Sequence, residues 1–548
     1  MLLLRQLVID PLERLKKKMS KEYSFSVMPS VSISRSRFAR NSQHKTSFNL
    51  GKIVPIYVDE VLPGDTSSLD MASLVRMSTP IAPIMDNIYI DYFAFFVPNR
   101  LVWDHWKEFM GENSVSAGIP SVQYTIPGID CNAMNTILAD SVLAYMGLPI
   151  GLNPLNGGSG YKIPISSLPL RGYCLIYQEW FRDQNLIAPV PINHGDTDGA
   201  LISYSGFDDT GFPLFNAAKL SDYFTRALPY AQKGAPVSIP LGTTAPVIVS
   251  NSLSSGDTLT IDSQYIATTQ KTQLLATDSS SNTSLLDVDL SLATAATINQ
   301  LRYAFQLQKL LEKDALYGSR YFEILAAHFG VRSPDARLQR PEYLGGFRQR
   351  VNVDQVLSTT GYDDSSTTDL GKPGANSVTG SKNSLFTKSF VEHGYVFILA
   401  VARHDQTYCQ GINRMWSRQS RYDFYFPVFA NLGAQEIRLR EIFASGSSAD
   451  DNIFGYQESW AEYRYKPSIS SGLLSTVAPG SLDYWTLTNK FASAPTLGQT
   501  FIEQGRDNIQ RALSTGSGGP DFIADFYFEN ICVRPMPMYS IPGLIDHH

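Results

Sequence analysis

Cysteine is scarce in this chain, and long apolar runs are missing. The four cysteines, Cys131, Cys174, Cys409 and Cys532, lie far apart, and none belongs to a CxxC pair. A disulfide-built secreted scaffold needs a denser set, so the expectation is reduced thiols in a cytoplasm-like compartment. No apolar stretch reaches the length of a bilayer-spanning helix. The start, Met1-Leu2-Leu3-Leu4-Arg5, meets charge too early for a secretory leader. Met19-Ser20-Lys21 reads as an alternative start, with residues 1–18 as an extension. Charged residues make up only 18%, below the roughly 25% of ordinary domains. Common catalytic signatures are absent as well: GxSxG, HExxH and the phosphate loop GxxxxGK with Ser or Thr. The expectation is a protein that is not an enzyme, with no cofactor.

What the chain does have is aromatic and turn-forming residues. Among 548 residues there are 28 Tyr, 29 Phe, 39 Gly and 31 Pro. That mix favours strands, turns and long ordered connections over helical bundles. With 43% hydrophobic residues, the chain can offset the entropy of ordering, which excludes wholesale disorder. Charge is uneven. Residues 1–45 hold ten basic and three acidic residues, a balance of +7, against 35 basic and 48 acidic in the remaining 503, a balance of −13. A basic arm on an acidic body binds polyanions at one end only.

Strand signals run from end to end. In Lys52–Glu60, Val54, Ile56 and Val58 share one face, while Pro55 points to an edge strand or a bulge. Asn87–Val97 and Tyr395–Val401 are continuous apolar runs, as in strands buried on both faces. From Phe522, apolar Phe522, Ala524, Phe526 and Phe528 alternate with more polar neighbours, a strand with one wet side. Helical spacing appears in Asn299–Leu316 and Arg320–Phe329, each stopped by a glycine, and shorter helices are predicted at Trp103–Met110 and Tyr173–Arg182. Helices and strands do not alternate regularly, which argues against a doubly wound sheet. Residues 250–297 hold 19 Ser or Thr in 48 positions, yet Thr258–Asp262 and Leu286–Leu292 keep period two. This predicts a small β-rich excursion with one side wet. Ser358–Ser384 lacks that alternation and reads as a mobile loop.

A magnitude then matters. A two-sheet sandwich takes about eight strands of roughly 5–6 residues, so several hundred residues fall in connections. Loops above about 15 residues are uncommon in compact domains. These connections also carry Trp103, Trp106, Tyr173, Trp180, Phe181, Tyr321 and Phe322. Such apolar connections need a second surface, and neighbouring copies of the chain are the economical source.

Several blocks carry a resemblance. They include Ser34–Phe38, Val58–Asp65 (VDEVLPGD), Pro83–Asn87, Phe95–Trp103 (FFVPNRLVW) and Glu179–Leu186 (EWFRDQNL). Ser333–Gly346 (SPDARLQRPEYLGG), Asn413–Pro427 (NRMWSRQSRYDFYFP), Tyr463–Pro467 and Ser540–His547 continue the pattern. Over roughly residues 24–548 the chain resembles the major capsid proteins of gokushoviruses, small single-stranded DNA phages of the microvirus group. The resemblance implies an all-β-dominated fold: an eight-stranded jelly-roll β-sandwich with large loop insertions and a few short helices. Charge sets off a basic arm (1–45), and the resemblance divides the rest into scaffold with insertions (46–240 and 297–548) and a surface insertion (241–296) forming a threefold protrusion. It further implies a T=1 icosahedral shell around a circular single-stranded DNA genome, with minor virion proteins and a host surface receptor as partners. The particle would be assembled in the bacterial cytoplasm. Residues 1–18 lie outside the resemblance, and 241–296 match in position only.

Three groups of candidate residues follow. Arg35, Arg37, Arg40 and Lys45, interleaved with Phe38, His44 and Phe48, suit phosphates and stacked bases; the bland alternative is a solvated arm or a subunit contact. Arg414, Arg418 and Arg421, with Trp416 and Tyr422, suit phosphate or an interfacial carboxylate equally; subunit pairing is preferred, and a buried structural role is the third reading. Thr258, Tyr265, Asn282 and Asp287 mark the expected host-facing insertion. The remaining signals have blander explanations. His404-Asp405 with Cys409 follows no catalytic spacing, and His105 reads as a satisfied surface histidine. Gly195–Gly199 has calcium-like oxygens without the later bidentate glutamate. Two rivals are a carbohydrate-binding β-sandwich module, expected to be a stable monomer, and a β-sandwich glycosidase, which needs two carboxylates across a cleft.

Overall fold

The structure, a computed structural model, describes residues 34–112, 123–129, 137–151, 165–199, 212–237, 298–318, 320–359, 371 and 373–539, with the backbone of four strands between 247 and 288. The scaffold strands are β1 (Ser36–Ala39), β2 (Ser42–Phe48), β3 (Ile53–Val61), β4 (Thr66–Met77), β5 (Ile88–Pro98), β6 (Glu342–Arg350), β7 (Thr379–Ser389), β8 (Gly394–His404) and β9 (Phe522–Arg534). They form two antiparallel sheets. In one, the order is β1–β9–β4–β7, and β2 shares the β9 edge: β2 pairs along Phe522–Phe528 and β1 along Ile531–Arg534. In the other, the order is β6–β5–β8–β3. The described part is strand-rich with few helices, as expected, and none of its helices is long and apolar enough to cross a membrane.

The two sheets face each other across one apolar core. Tyr92 of β5 meets Phe526 of β9 edge-on at 5.9 Å between ring centres, and Phe48 stacks on Phe522 at 5.4 Å. In β9, Phe522, Phe526 and Phe528 are fully buried while Ile523 is 54% exposed, so the period-two reading holds. Each such ring contributes roughly 1.5–3 kcal/mol of burial. A polar strut crosses the core: Tyr92 Oη and Ser73 Oγ both donate to Gln349 Oε1, at 3.0 and 2.8 Å. Pro55 lies on β3, at the open edge of its sheet, and pairing skips one residue beside it, opposite Ile398–Leu399. Both devices expected of that proline are present.

The β6–β5–β8–β3 sheet is covered on its outer face too. Helix α1 (Leu168–Ile176), followed by a wider turn at Tyr177–Phe181, lies so close that a Cβ on Gly172 would sit 3.0 Å from the Phe397 ring. The helix starts ahead of the expected Tyr173 because Pro169 suits a first turn. Phe181 meets Phe93 and Trp180 meets Phe95, each at 5.3 Å. This corrects the expectation that the aromatic connections need neighbouring copies. Trp103 and Tyr173 are fully buried in their own chain, and Trp106, Trp180 and Phe181 pack on its core. The connections fold back over the sheet, so this share of apolar surface is covered from within.

Two further expectations change. Ser358–Ser384 is not a loop throughout: Thr379 onward is strand β7, while 360–370 and 372 lie outside the described residues. Its alternation is hidden by a bulge between Ser384 and Phe386, which turns Leu385 and Phe386 both inward. Hydroxyl pairs with β4 (Thr66–Ser389 at 2.8 Å, Ser68–Thr387 at 2.9 Å) take the place of apolar contacts. Helix α2 (Ile298–Tyr317) forms where expected, but its apolar stripe is only partly covered: Ala315 is buried and Leu301, Ala304 and Leu311 are half-buried, whereas Phe305 is 62% exposed and Tyr303, off the stripe, 70%.

Candidate functional site

The arginine-aromatic segment lies beside a second, smaller apolar cluster that includes Phe224, Tyr408, Ile437 and Phe454, and Arg414, Met415 and Trp416 share a pocket with Phe224 and Tyr408. Three short 3₁₀ turns, Arg414–Ser417, Arg421–Asp423 and Pro427–Asn431, carry the segment. Side chains hold the turns. Asn413 Oδ1 accepts from the Met415 amide at 3.0 Å, and Asp423 Oδ2 accepts from the Ser420 amide at 2.7 Å. The four predicted residues are therefore brought together, but they do different things. Arg414 donates to the Glu436 carbonyl at 2.9 Å and lies 3.8 Å from the buried Glu441 carboxylate. Arg418 pairs with Glu462 at 3.3 Å and covers the Tyr463 ring at 4.5 Å. Both cations compensate carboxylates of their own chain. Arg421, over Tyr422 at 5.0 Å, and Trp416, 75% exposed, face outward. Around them Met415, Phe424 and Val428, the last 88% exposed, extend an apolar surface of the kind that marks interaction sites.

The basic N-terminal group is spread along the edge of the first sheet. Arg37 lies on β1 opposite Val533, and Lys45 on β2 opposite Asp525. Arg35, Arg37 and Lys45 are exposed. Arg40, between the two strands, is half-buried and grips Asp59 of β3 with both guanidinium arms, Nη2 at 2.8 Å from Oδ1. Tyr57 Oη also donates to Asp59, at 2.9 Å. Three of the four cations are thus open to a ligand, while the fourth is held by a carboxylate of its own chain.

In the Ser/Thr-rich excursion, Thr258 and Tyr265 lie on the strand Thr258–Ile266, paired antiparallel with Thr269–Thr277. Asp287 lies on Leu286–Val288, paired with Val247–Val249. Asn282 and most of the predicted Leu286–Leu292 alternation fall outside the described residues.

The weaker signals find internal partners. His404 is fully buried between the Asp405 carbonyl and Gln504, and the Cys409 thiol contacts Thr476 Oγ1 at 3.2 Å, so no cysteine–histidine pair forms. His105 Nδ1 meets Asp196 at 2.8 Å. The calcium-like loop surrounds a different cation. The carbonyls of Gly195, Thr197 and Gly199 accept from the buried Arg171 guanidinium at 2.9, 2.9 and 3.0 Å. Burial pushes the Arg171 pKa down to about 10, with Asp104, Asp196 and Asp198 holding it up. No cluster of three or more metal-ligating side chains occurs among the described residues.

With this geometry in place, relatives give it a context. The family model described as Capsid protein (F protein) matches residues 26–544. The chain belongs to this capsid protein family. It is similar to Capsid protein VP1 of Chlamydia phage 1, 39% identical over 95% of this chain and 97% of that protein. Capsid protein VP1 of Bdellovibrio phage phiMH2K is 39% identical over 95% and 98%, and that of Spiroplasma virus 4 is 37% identical over 97% and 100%. The gokushovirus resemblance read from short motifs therefore extends over nearly the whole F-family chain.

Sequence reasoning missed Arg340. Its guanidinium is layered between Trp180 and Phe322, with ring centres at 4.2 and 3.8 Å. The three residues lie far apart in sequence, and only the fold brings them together.

Proposed function

We propose that this chain is the major capsid subunit of a small single-stranded DNA phage. Its role is structural rather than catalytic: it self-associates into a T=1 icosahedral shell, encloses a circular genome and presents a host-attachment surface. The observation that carries the reading is a capsid-family match over residues 26–544, with capsid relatives aligned along almost their entire length. The strand orders support an eight-stranded jelly roll. Counting β1 and β2 as one interrupted strand, the eight fall in the orders 1-8-3-6 and 2-7-4-5, so every strand pairs across a long connection or a sheet-to-sheet crossover.

In this shell, residues 46–240 and 297–548 form the scaffold, and 241–296 the outward insertion that meets the host receptor. The exposed Trp416 and Val428 and the open face of α2 are covered by neighbouring copies or by minor virion proteins. Arg35, Arg37 and Lys45 face the genome. The particle assembles in the bacterial cytoplasm and the protein resides in the virion.

Electron microscopy of the purified, concentrated protein tests the central claim. Uniform closed particles are expected. A soluble, well-folded monomer at high concentration would overturn the shell and favour the carbohydrate-binding rival, which retains glycan as a single molecule.

A further inference from the structure

The end of α2 closes over a cavity of about 690 Å³ that none of the roles above uses. Arg340 is built into its wall. The guanidinium is fixed between the Trp180 and Phe322 rings, and its Nε and Nη2 reach Asp335 Oδ1 at 2.8 and 2.7 Å. The side chain is only 8% exposed, yet Nη1 has no hydrogen-bond partner. A buried, unpaired donor on a charged group is costly, and a planar fork with one free arm is satisfied by an oxyanion.

The rest of the lining points the same way. Lys313 and Arg332 also border the cavity, and neither forms an ion pair among the described residues. Both bordering carboxylates are committed: Asp335 to Arg340, and Glu323 to the Arg320 amide at 3.0 Å and its guanidinium at 3.6 Å. Setting the lining cations Lys313, Arg332 and Arg340 against Glu323 and Asp335 leaves one positive charge over, and Arg320, outside the lining, pairs with Glu323. Ala326 and Ala327 keep the floor small, and Tyr317, 58% exposed, offers a ring at the mouth.

We propose that this cavity binds a phosphate group carried on a ring, the phosphate meeting Lys313, Arg332 and the free arm of Arg340, and the ring resting on Tyr317. A carboxylate fits less well, because its two oxygens are satisfied by one guanidinium fork. A phosphate has acceptor oxygens for three separate donors. Two sources supply this chemistry: a nucleotide unit of a single-stranded nucleic acid, or a phosphorylated sugar of a cell envelope. The choice between them rests on the shell reading; the anion chemistry rests on the cavity alone.

Trp180 in the wall gives a fluorescence readout for titrating the full chain with 5′-dAMP, glucose 6-phosphate and inorganic phosphate, with deoxyadenosine, glucose and glucuronate as controls. Saturable binding is expected for at least one ring phosphate, tighter than for inorganic phosphate or the controls. Lys313→Gln and Arg332→Gln, both at the cavity rim, should each weaken it about tenfold. Preference for dAMP assigns the site to nucleic acid, and preference for glucose 6-phosphate assigns it to envelope sugar. The proposal is overturned by equal binding of the uncharged controls, by tighter binding of glucuronate, or by affinity unchanged in both variants. Particle formation, scored in parallel by microscopy, keeps the two readings separate: closed particles without phosphate binding sink the site and leave the shell standing.

Discussion

The two sheets of the scaffold use apolar residues in opposite ways. In β8, every residue from Val396 to Ala402 is buried, because β9 and its neighbours lie on one side and α1 with its wide turn lies on the other. In β9, burial alternates strictly over Phe522–Phe528, because nothing among the described residues covers the outer face, where Ile523 and Tyr527 stand in the open. A continuous apolar run and a period-two run are therefore one physical rule under two coverings. The difference also separates surface that this chain hides by itself from surface that its described residues leave open.

Neighbouring substitutions break or sharpen this contrast most directly. Phe526→Ala should cost about 3–5 kcal/mol and the adjacent Tyr527→Ala less than about 1 kcal/mol. In β8 the adjacent pair should behave alike, with Phe397→Ala and Ile398→Ala each costing about 2–5 kcal/mol. Urea denaturation of the unassembled chain measures all four. If Tyr527→Ala proves as costly as Phe526→Ala, the outer face of β9 is covered after all.

The two-sided burial of β8 also sets a pH dependence at its last residue. His404 Nδ1 lies 2.7 Å from the Asp405 carbonyl, and Nε2 lies 3.0 Å from the Gln504 amide nitrogen. This pairing suits a neutral ring that donates from Nδ1 and accepts at Nε2. Burial pushes the His404 pKa down from 6.5 to about 4, against the Asp405 carbonyl and aided by Lys219 and Arg511. Between those values the unfolded chain holds a proton that the folded chain does not. Stability from this group is complete above pH 6.5 and drains away as pH falls toward 4, by about 3 kcal/mol. Denaturation at pH 7, 5 and 4 should show a shallower acid loss in His404→Gln. Parallel curves would exclude the neutral buried histidine.

A smaller effect is expected where β6 passes between its neighbours. A Cβ on Gly346 would stand 2.2 Å from the Tyr92 carbonyl oxygen, and one on Gly345 would stand 2.3 Å from that of Leu385. Gly346→Ala forces the strand to shift and should cost about 1–3 kcal/mol. A neutral outcome in the same denaturation assay would mean that β6 is free to slide.

How much of this was legible in the sequence depends on the range of the contact. The strands at Ile88–Pro98, Gly394–His404 and Phe522–Arg534 were readable because their periodicity is local. Strand β7 was not, because one bulge breaks its alternation and its partners are hydroxyls. The aromatic connections were recognised as needing cover, but their spacing cannot say whose. Trp103 and Tyr173 found it within the chain, whereas Tyr321 stays 66% exposed. Among the candidate cations, composition identified four near the start and could not separate Arg40 from the others. That distinction comes from Asp59, nineteen residues away on β3.

Arg40 supplies the finest test of the contrast between internal and external partners. The Arg40–Asp59 pair is partly exposed, with side-chain exposures of 37% and 15%, so solvent screening limits its worth to about 1 kcal/mol or less. Arg40→Gln should produce that small loss of stability and leave packaging unchanged. Replacing Arg35, Arg37 and Lys45 together with Gln should leave stability within about 0.5 kcal/mol and lower the DNA recovered per particle, since these are the exposed cations that form no ion pair among the described residues. DNA content measured on purified particles by absorbance ratio, beside denaturation of the same variants, separates the two outcomes. If Arg40→Gln alone empties the particles as much as the triple replacement, its carboxylate partner does not remove it from the genome's reach, and the division between internal and external cations fails at the sheet edge.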